Sequence, residues 1–483
     1  MTSTSRNRLA HSSDATKIVA TIGPASEDRL GELIEAGMNV ARLNFSHGNL
    51  EDHAKRVESI RREARARMTT IGILADLQGP KMRLGTFEEG GRMLEVGDEV
   101  LVRRGDGLSE PGEVNFNFGG YLEHVKAGHR MLLADGQVQV NAISVEGESI
   151  LGRVSRAGHI SDRKGVHLPD SKIVYTLPTA EDREHIEFCK EHGVDFLGVS
   201  FVGQADEIEE IRELSPNTQI ISKIERKLAL NNLDAIVAAT DGIMVARGDL
   251  GVELELEQVP MAQKRMITRA LRAGKFTITA TEMLESMIES SRPTRAEVAD
   301  VANAILDGSD AVMLSAETAV GKYPVESVAT MRRIARAVEG SSRYRDMPRP
   351  DWQESEPDTA NAVGMAAVRI ANALKISKII CFTETGRTAR LLSRYRPRAE
   401  VIALSPIPTR VNQMSVLSGA RPILFQREPS LEDMIYMASE MLVVRELAEY
   451  GEKVVFVAGV PPGVARSTNV IKVHNIGEEV RLH

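Results

Sequence analysis

One acidic and two basic side chains follow a single apolar run of the sequence. Residues 75–85 read ADLQGPKMRLG, in which Asp76 comes near the end of the run and Lys81 and Arg83 follow a Gly-Pro turn. Charged groups at the end of a buried strand are rarely there for packing. The segment therefore predicts a charged ligand or partner close to Lys81.

Two later strand-like runs end in acids that suit a metal ion. One ends with Lys223 and Glu225, and the next runs into ARGDLG, which contains Asp249. Two carboxylates on neighbouring strands are the oxygen ligands that Mg²⁺ prefers, and bases such as Arg42 and Arg83 would gather phosphoryl oxygens around it. Direct phosphoryl transfer needs no protein nucleophile, because positioning and charge neutralisation do most of the catalysis. The residue types therefore favour that chemistry.

The elements that carry these residues alternate between strand and helix. Eight strand-like runs are each followed by a helical pattern: residues 17–23, 38–45, 70–77, 196–202, 219–225, 242–248, 276–281 and 310–316. This predicts an α/β fold, a (β/α)8 TIM barrel, with a doubly wound open sheet as the alternative. Ser26 is the expected N-cap of the first helix and Gly37 its expected end.

The chain divides into several predicted units. Alternating short runs with Gly turns predict a small β domain inserted after the third strand, and a Pro-containing polar stretch predicts a linker. The expected units are an N-terminal arm (1–15), the barrel (16–81 and 176–342), the inserted β lid domain (82–175), the linker (343–358) and a C-terminal α/β domain (359–483).

Composition excludes several classes of protein. The net charge of −8 argues against nucleic acid as a partner, and no apolar run is long enough to span a bilayer. The first fifteen residues lack the apolar segment of a secretory signal. Cys189 and Cys381 are too isolated for a disulfide framework or a zinc site. We therefore expect a cytoplasmic protein with inert core thiols and no membrane contact.

A parallel barrel predicts that reactive groups collect at the carboxyl ends of its strands. Residues at these ends include Arg42, Asn44, Ser46, His47, Asp76, Lys81, Arg83, Lys223, Glu225, Arg247, Gly248, Asp249, Thr281, Ser315 and Glu317. Each has an ordinary alternative: Lys-x-Glu is often a surface salt bridge and GDLG a common turn. Their placement on successive strand ends is what predicts a site.

Several segments resemble one enzyme family. KIVATIGPAS, MNVARLNFSHG, GPKMR, KGVHLP, ISKIE, IMVARGDLGVE, ATEMLESMIESSRPTRAEVADVANAILDG and LSAETAVGKYP occur in this order. They resemble pyruvate kinase from about Lys17 to the C-terminus. The resemblance implies transfer of a phosphoryl group from phosphoenolpyruvate to ADP, giving pyruvate and ATP, with Mg²⁺ or alternatively Mn²⁺. Members of the family are usually homotetramers.

The resemblance also implies residue roles. Glu225 and Asp249 would bind the divalent metal, while Lys223 and Arg42 would contact the transferring phosphoryl group. Gly248, Asp249 and Thr281 would hold the carboxylate end, and Thr281 would take part, through water, in protonating the enolate. The residues implied to line the nucleotide are Asn44, Phe45, Ser46, His47 and Arg83, with Lys164 closing over ADP as part of the lid.

The opening segment differs from that of many family members. Those members bind K⁺ through residues matching Asn44, Ser46, Asp76 and Leu77, and have Glu where this chain has Lys81. DLQGPKMRL resembles instead the pattern associated with potassium independence. The hypothesis is that the ammonium of Lys81 replaces K⁺. The alternative is a solvated turn lysine with K⁺ still bound.

The last domain carries two loops that resemble the family's effector site. They are TETGRT (383–388) and PPGVARSTN (461–469), and the expected ligand is a sugar phosphate or a nucleotide. The implied effector residues are Thr383, Glu384, Thr385, Gly386, Arg387, Thr388, Arg466, Ser467 and Thr468. The alternative is two ordinary turns of an α/β domain.

Two other functions remain open at this point. A Mg²⁺-dependent barrel lyase or aldolase acting on a pyruvate enolate would share Glu225, Asp249 and an arginine. It would need neither an inserted lid nor Lys164. A non-catalytic metabolite sensor is disfavoured because Lys223 and both metal acids are present.

Overall fold

The computed structural model describes residues 14–117, 124–171, 173, 175–345, 358–461, 463 and 467–480. Most of the predicted N-terminal arm and most of the predicted linker, residues 346–357, lie outside the described residues. Within the described part of the chain, no helix combines the length and the apolar character that crossing a bilayer requires.

The first three barrel strands and their helices follow the predicted order. They are β1 (Lys17–Thr21), α1 (Leu30–Ala36), β2 (Val40–Asn44), α2 (Leu50–Ala66) and β3 (Gly72–Asp76). All of β1 and β3 is buried, as the apolar runs predict. The last residues of β2 and β3, Asn44 and Asp76, therefore lie at the same end of the sheet.

The predicted ends of the first helical segment are half right. Gly37 follows α1 with φ +127°, a conformation that disfavours other residues, and its N–H bonds the last turn. Ser26 precedes a short 3-10 turn, but its hydroxyl bonds the N–H and C=O of Gly23 rather than the helix start. Ser26 therefore holds the predicted N-cap position, but its side chain makes no capping hydrogen bond.

A group of short strands follows β3 and forms a separate β unit. Its strands are β4 (Arg83–Leu84), β5 (Gly91–Leu94), β6 (Glu99–Arg104), β7 (Glu113–Asn117), β8 (Arg130–Leu133), β9 (Val138–Glu146), β10 (Ser149–Arg156), β11 (Gly158–Ser161) and β12 (Val166–His167). Seven pair in the order β12-β8-β9-β10-β6-β7-β4, and β11 pairs with β5. This unit, called the insert below, has its own apolar core around Phe116.

The strand–helix alternation resumes after the insert. The elements are α3 (Ala180–Glu191), β13 (Phe196–Val199), α4 (Ala205–Leu214), β14 (Gln219–Ile224), α5 (Lys227–Asn231), α6 (Leu233–Ala239), β15 (Gly242–Ala246), α7 (Arg247–Glu253), α8 (Val259–Arg272), β16 (Phe276–Ala280), α9 (Arg295–Leu306), β17 (Ala311–Leu314), α10 (Ala316–Ala319), α11 (Pro324–Glu339) and α12 (Ser342–Arg345). Cys189 on α3 is free and buried, as predicted.

Eight parallel strands close into a barrel. Their order is β1-β17-β16-β15-β14-β13-β3-β2, and β1 pairs with both β17 and β2. The (β/α)8 prediction is confirmed and the open doubly wound sheet is excluded, because a closed barrel has no edge strands. All eight carboxyl ends therefore open at one mouth.

The C-terminal domain is a five-stranded sheet flanked by helices. It comprises α13 (Thr359–Ala373), β18 (Lys378–Phe382), α14 (Arg387–Arg394), β19 (Glu400–Ser405), α15 (Pro408–Gln413), β20 (Ala420–Leu424), α16 (Leu431–Val444), β21 (Lys453–Gly459) and β22 (Thr468–Asn475). The strand order is β20-β19-β18-β21-β22, with β22 antiparallel. Its apolar core is continuous with side chains of the barrel strands such as Phe196 and Phe276.

The last residues of the predicted N-terminal arm belong to the barrel. Asp14 forms ion pairs with Arg332 and Arg336 of α11. The N–H groups of Ala15 and Thr16 donate to the Glu339 carboxylate. Residues 14 and 15 of the predicted arm are therefore bonded to α11.

A buried ion pair also joins the barrel to the C-terminal domain. Arg396 lies 2.9 Å from the Asp310 carboxylate and donates to the Gly308 carbonyl at 2.7 Å. The other Asp310 oxygen accepts the N–H of Thr277 at 2.9 Å. Asp310 and Arg396 are 3% and 10% exposed, so removal of one charge leaves the other with little water to stabilise it.

We expect Arg396→Met to destabilise the protein by about 3–5 kcal/mol, because it leaves the buried Asp310 charge without its cation. Urea unfolding followed by circular dichroism measures the loss. Arg398→Met, two residues away on the exposed surface, is the matched control and should change stability by less than about 0.5 kcal/mol. Equal effects of the two substitutions would contradict the importance of this pair.

Candidate active site

Lys223 lies at the barrel mouth and contacts two carboxylates. Its Nζ is 3.0 Å from Asp76 and 2.9 Å from Glu225, and it donates to the Ser200 hydroxyl at 2.7 Å. Burial favours the neutral amine, but Asp76 and Glu225 outweigh that effect and raise the pKa of Lys223. The side chain is therefore a fixed cation at the end of β14.

Arg42 is the second cation at the mouth. Its guanidinium contacts one oxygen of Asp76 through Nε at 2.7 Å and Nη2 at 2.6 Å, and Nη1 donates to the Thr21 hydroxyl. Burial alone would raise the pKa of Asp76, but Lys223 and Arg42 hold it below its usual range. Asp76 thus fixes the two cations that the sequence placed on different strands.

Glu225 and Asp249 are the two acids predicted to hold a divalent ion. One Glu225 oxygen contacts Lys223, and the other accepts the Phe201 N–H at 2.7 Å. Burial and the nearby charge of Asp249 raise the pKa of Glu225, although Lys223 opposes them. Among the described residues, no group of three or more His, Cys, Asp or Glu side chains is arranged to hold a metal alone. Two carboxylates fit Mg²⁺, which keeps waters and takes substrate oxygens.

Lys81 contacts Asp249, a charged partner of the kind that the segment 75–85 predicted. Its Nζ is 3.0 Å from Asp249 and 3.7 Å from Asp135 of the insert, and its side chain is 21% exposed. Burial would raise the pKa of Asp249, but Lys81 is the main charge that lowers it. A Cβ at Gly165 would lie 2.2 Å from the Asp135 carboxylate, so a larger residue there would displace Asp135.

Thr281 occupies an unusual backbone conformation next to the acids. Its φ is +67°, which is rare for a β-branched residue. Its hydroxyl accepts the Gly248 N–H at 2.9 Å, and Arg247 donates to its carbonyl at 2.6 Å. Strained residues of this kind cluster at functional sites. The contacts join the ends of β15 and β16 beside Asp249.

The loop after β2 is held from behind by aromatic stacking. Phe45 is buried and stacks on His53 with ring centroids 4.3 Å apart, and its N–H donates to the Asp76 carbonyl at 3.0 Å. The Asn44 side chain accepts the Ser46 N–H at 3.2 Å. The His47 carbonyl accepts from His53 Nε2 at 3.0 Å.

Arg83 and Lys164 lie together at the base of the insert. Arg83 donates to the Arg163 carbonyl at 3.1 Å, and the Lys164 carbonyl accepts the Leu84 N–H at 2.8 Å. The Lys164 side chain is exposed. Arg83 therefore belongs to the insert and not to the group around Asp76.

Three contributors to the site were missed by sequence reasoning. Ser200, which bonds Lys223, is a polar residue at the end of the fourth apolar run and could have been found by the same rule. Asp135 reaches Lys81 from a turn in the insert. His167, buried in β12, lies 3.7 Å from Asp249. No sequence signal links the last two to the barrel, because they approach from another unit.

Glu317 was named among the strand-end residues and has a structural role. Its buried carboxylate accepts the N–H groups of Leu284 and Ser315. These bonds hold the loops after β16 and β17.

The two loops predicted to hold an effector meet at the C-terminal domain. The Thr388 and Thr468 hydroxyls are 2.8 Å apart, and the Thr383 hydroxyl accepts the Gly386 N–H at 3.0 Å. Arg387 pairs with Asp358 at 2.7 Å, and Glu384 pairs with Arg427 at 2.8 Å. Thr385 is exposed and Ser467 adjoins Thr468, whereas Arg466 lies outside the described residues.

The fold and the charged mouth define a barrel enzyme with an inserted β unit. The family models "Pyruvate kinase, barrel domain" and "Pyruvate kinase, alpha/beta domain" match residues 13–328 and 361–474. The chain therefore belongs to the pyruvate kinase family.

Individual relatives agree with the family models. The pyruvate kinases of Geobacillus stearothermophilus and Sporosarcina psychrophila are 40% and 42% identical over 472 residues, 96% of this chain and 80% of each relative. The crystal structure of a pyruvate kinase from Cryptosporidium parvum superposes with a TM-score of 0.87 at 35% identity, covering 96% of both chains.

Protonation of His53 gives a prediction for this site. Burial, with Arg56 adding to it, lowers the pKa of His53 to about 4 from 6.5. With Nε2 donating to His47, the buried Nδ1 has no partner among the described residues. The unfolded chain therefore binds the extra proton more readily between these two values, and stability falls as the pH drops from 6.5 to 4.

We expect wild type to lose up to about 3 kcal/mol more than His53→Gln over this pH interval. Glutamine keeps a donor for the His47 carbonyl but cannot take up the proton. Urea unfolding of both proteins at several pH values measures the difference. Parallel pH dependences would show that His53 does not titrate in this way.

Proposed function

We propose that the chain transfers a phosphoryl group from phosphoenolpyruvate to ADP in the presence of a divalent metal, giving pyruvate and ATP. The observation that carries the proposal is the pair of fixed cations, Lys223 and Arg42, beside the acids Glu225 and Asp249 at the mouth of a pyruvate kinase family barrel. Their joint geometry matches what phosphoryl transfer needs, which is positioning and neutralisation of charge.

Glu225 and Asp249 would hold Mg²⁺, with Mn²⁺ as the alternative ion. When bound, the cation neutralises negative charge on the phosphoryl oxygens. Burial is the main cause of the raised pKa of Glu225, and repulsion by the nearby Asp249 charge adds to it. A cation between them removes that repulsion.

Lys223 and Arg42 would bind the transferring phosphoryl group. Asp76 orients both, since its two oxygens are divided between them. Asp76 is therefore a positioning residue. A preorganised charge costs no reorganisation when negative charge develops in the transition state.

The first turn of α7 would seat the substrate carboxylate. The Gly248 and Asp249 backbone and the Thr281 hydroxyl lie together there. Thr281 also occupies the strained position from which its hydroxyl could pass a proton, through water, to the enolate.

The insert would close over ADP and exclude water. Arg130 supports this, because it bridges Asp170 of the insert and Glu255 of the barrel at 2.9 and 3.3 Å. Arg83 and Lys164 would face the nucleotide phosphates from the insert, with the backbone of the 44–47 loop opposite.

Lys81 would make the reaction independent of K⁺. Its ammonium contact with Asp249 supports this role and argues against a merely solvated turn lysine. The groups that would bind K⁺ are also engaged: Asp76 by Arg42 and Lys223, and the Leu77 carbonyl by the Ser200 hydroxyl at 2.7 Å.

The C-terminal loops would bind a phosphorylated effector, either a sugar phosphate or a nucleotide. Their support is the contact between Thr388 and Thr468 and the Thr383–Gly386 turn. Activation through this site, assembly as a homotetramer and a cytoplasmic location complete the proposal.

Replacement of Lys223 by Met tests the reaction. We expect pyruvate formation from phosphoenolpyruvate and ADP to fall about 10²–10³-fold in kcat, because a preorganised charge at the phosphoryl group is lost. Lys190→Met, on the exposed face of α3, is the matched control and should keep wild-type rates. If the wild-type protein releases no pyruvate from these substrates even with activators present, the result would favour the lyase alternative.

The K⁺ prediction compares KCl with tetramethylammonium chloride at fixed ionic strength. Wild type should be fully active in both salts. Lys81→Glu should lose at least about tenfold in tetramethylammonium and recover with K⁺, because a carboxylate beside Asp249 needs a counter-cation. Lys126→Glu, an equal charge change on the insert surface, should behave as wild type. Strict K⁺ dependence of wild type would refute the role of Lys81 and leave the kinase intact.

A further inference from the structure

A strongly basic cavity lies at the end of the barrel opposite the mouth. It has a volume of about 540 Å³ and lies between the barrel base and the C-terminal domain. Its basic residues among those described are Arg212, Lys275, Arg387, Arg390, Arg394 and Arg410. A volume of this size is typical of small-molecule sites.

The cavity draws its walls from two domains. Arg212 lies in the last turn of α4 and Lys275 immediately precedes β16, so both lie on the amino-terminal side of the barrel strands. Arg390 projects from α14 and Arg410 from α15 of the C-terminal domain. A ligand bound here would therefore contact both domains at once.

Positive charge in the lining exceeds negative charge. The lining has six basic residues and two acids, Asp241 and Asp358, which leaves an excess of four positive charges among the described residues. Asp241 lies 3.0 Å from Arg212 and 4.0 Å from Arg390, and Asp358 pairs with Arg387. The two carboxylates are thus shared or already paired.

Arg390 is the least satisfied of these cations. Its Nε is buried without a hydrogen-bond partner in the described part of the chain, and the one ion pair it forms there is the 4.0 Å contact with Asp241. Burial lowers the pKa of Arg390, and Arg410 and Arg212 lower it further, against the effect of Asp241. Burial also lowers the pKa of Lys275, to which Arg390 and Arg212 contribute. The cluster repels itself and would gain from a bound anion.

We propose that this cavity is a second anion site, which binds a phosphorylated small molecule between the barrel and the C-terminal domain. Several guanidinium groups around one volume match the several oxygens of a phosphate, to which arginine donates in pairs. The site is separate from the contact between Thr388 and Thr468, although Thr385 and Arg387 belong to both regions. The proposal does not depend on the reaction at the mouth.

Calorimetric titration with inorganic pyrophosphate, in metal-free buffer at fixed ionic strength, tests the proposal on the full chain. A Lys223→Met, Thr388→Val background removes the contributions of the mouth and of the effector loops. Binding should persist in this background and weaken at least tenfold on adding Arg390→Gln. Among its described contacts, the Arg410 side chain bonds only the neutral Gln413, at 2.6 Å. Arg410→Gln should therefore also weaken pyrophosphate binding. It tests the proposal if Arg390→Gln fails to fold.

Arg183→Gln is the matched control for loss of one positive charge, since Arg183 lies on the exposed face of α3 and pairs with Glu210. It should leave pyrophosphate binding unchanged. Three results would overturn the proposal: no binding in the background protein, unchanged binding in the folded cavity variants, or an equal loss in Arg183→Gln. A rise in the thermal unfolding midpoint with pyrophosphate, lost in Arg390→Gln, would support it independently, because a ligand of the folded state stabilises that state.

Discussion

The positive charge of Lys223 inside the barrel mouth requires carboxylates from other strands. A lysine removed from water would cost several kcal/mol if it were unpaired, and Asp76 and Glu225 supply the compensation from β3 and from the residue that follows β14. Asp76 in turn fixes Arg42 of β2. The closed barrel is what brings these strand ends together, so the charge network and the topology depend on one another. Within the same network, burial and the nearby charge of Asp249 both raise the pKa of Glu225.

The two ends of the barrel differ in the side chains that they bring together. At the mouth, polar groups from the strand ends face one another across a space that the insert reaches through Asp135 and His167. At the base, apolar side chains such as Phe196 and Phe276 continue into the core of the C-terminal domain, and the buried Asp310–Arg396 pair joins the two units. The barrel base and the C-terminal domain therefore share one apolar core.

Much of the fold was predictable, because buried parallel strands leave a strong signal. The eight apolar runs corresponded to eight barrel strands, and Gly37 ended the first helix as expected. Local capping was less predictable: Ser26 has the right residue type but bonds Gly23. The attachment of Asp14 to α11 was also missed, because it depends on Arg332 and Arg336, more than 300 residues further along the chain.

Residue types and strand periodicity were enough to identify the side chains at the strand ends. Together with the barrel rule, they predicted that Arg42, Lys223, Glu225, Asp249 and Thr281 would converge. The pairing of the charges could be seen only in the folded chain. Lys81 follows Asp76 by five residues yet meets Asp249, and a histidine and an aspartate of the insert complete its surroundings. Charge pairing depends on distances across strands and between domains, and spacing along the chain does not encode these distances.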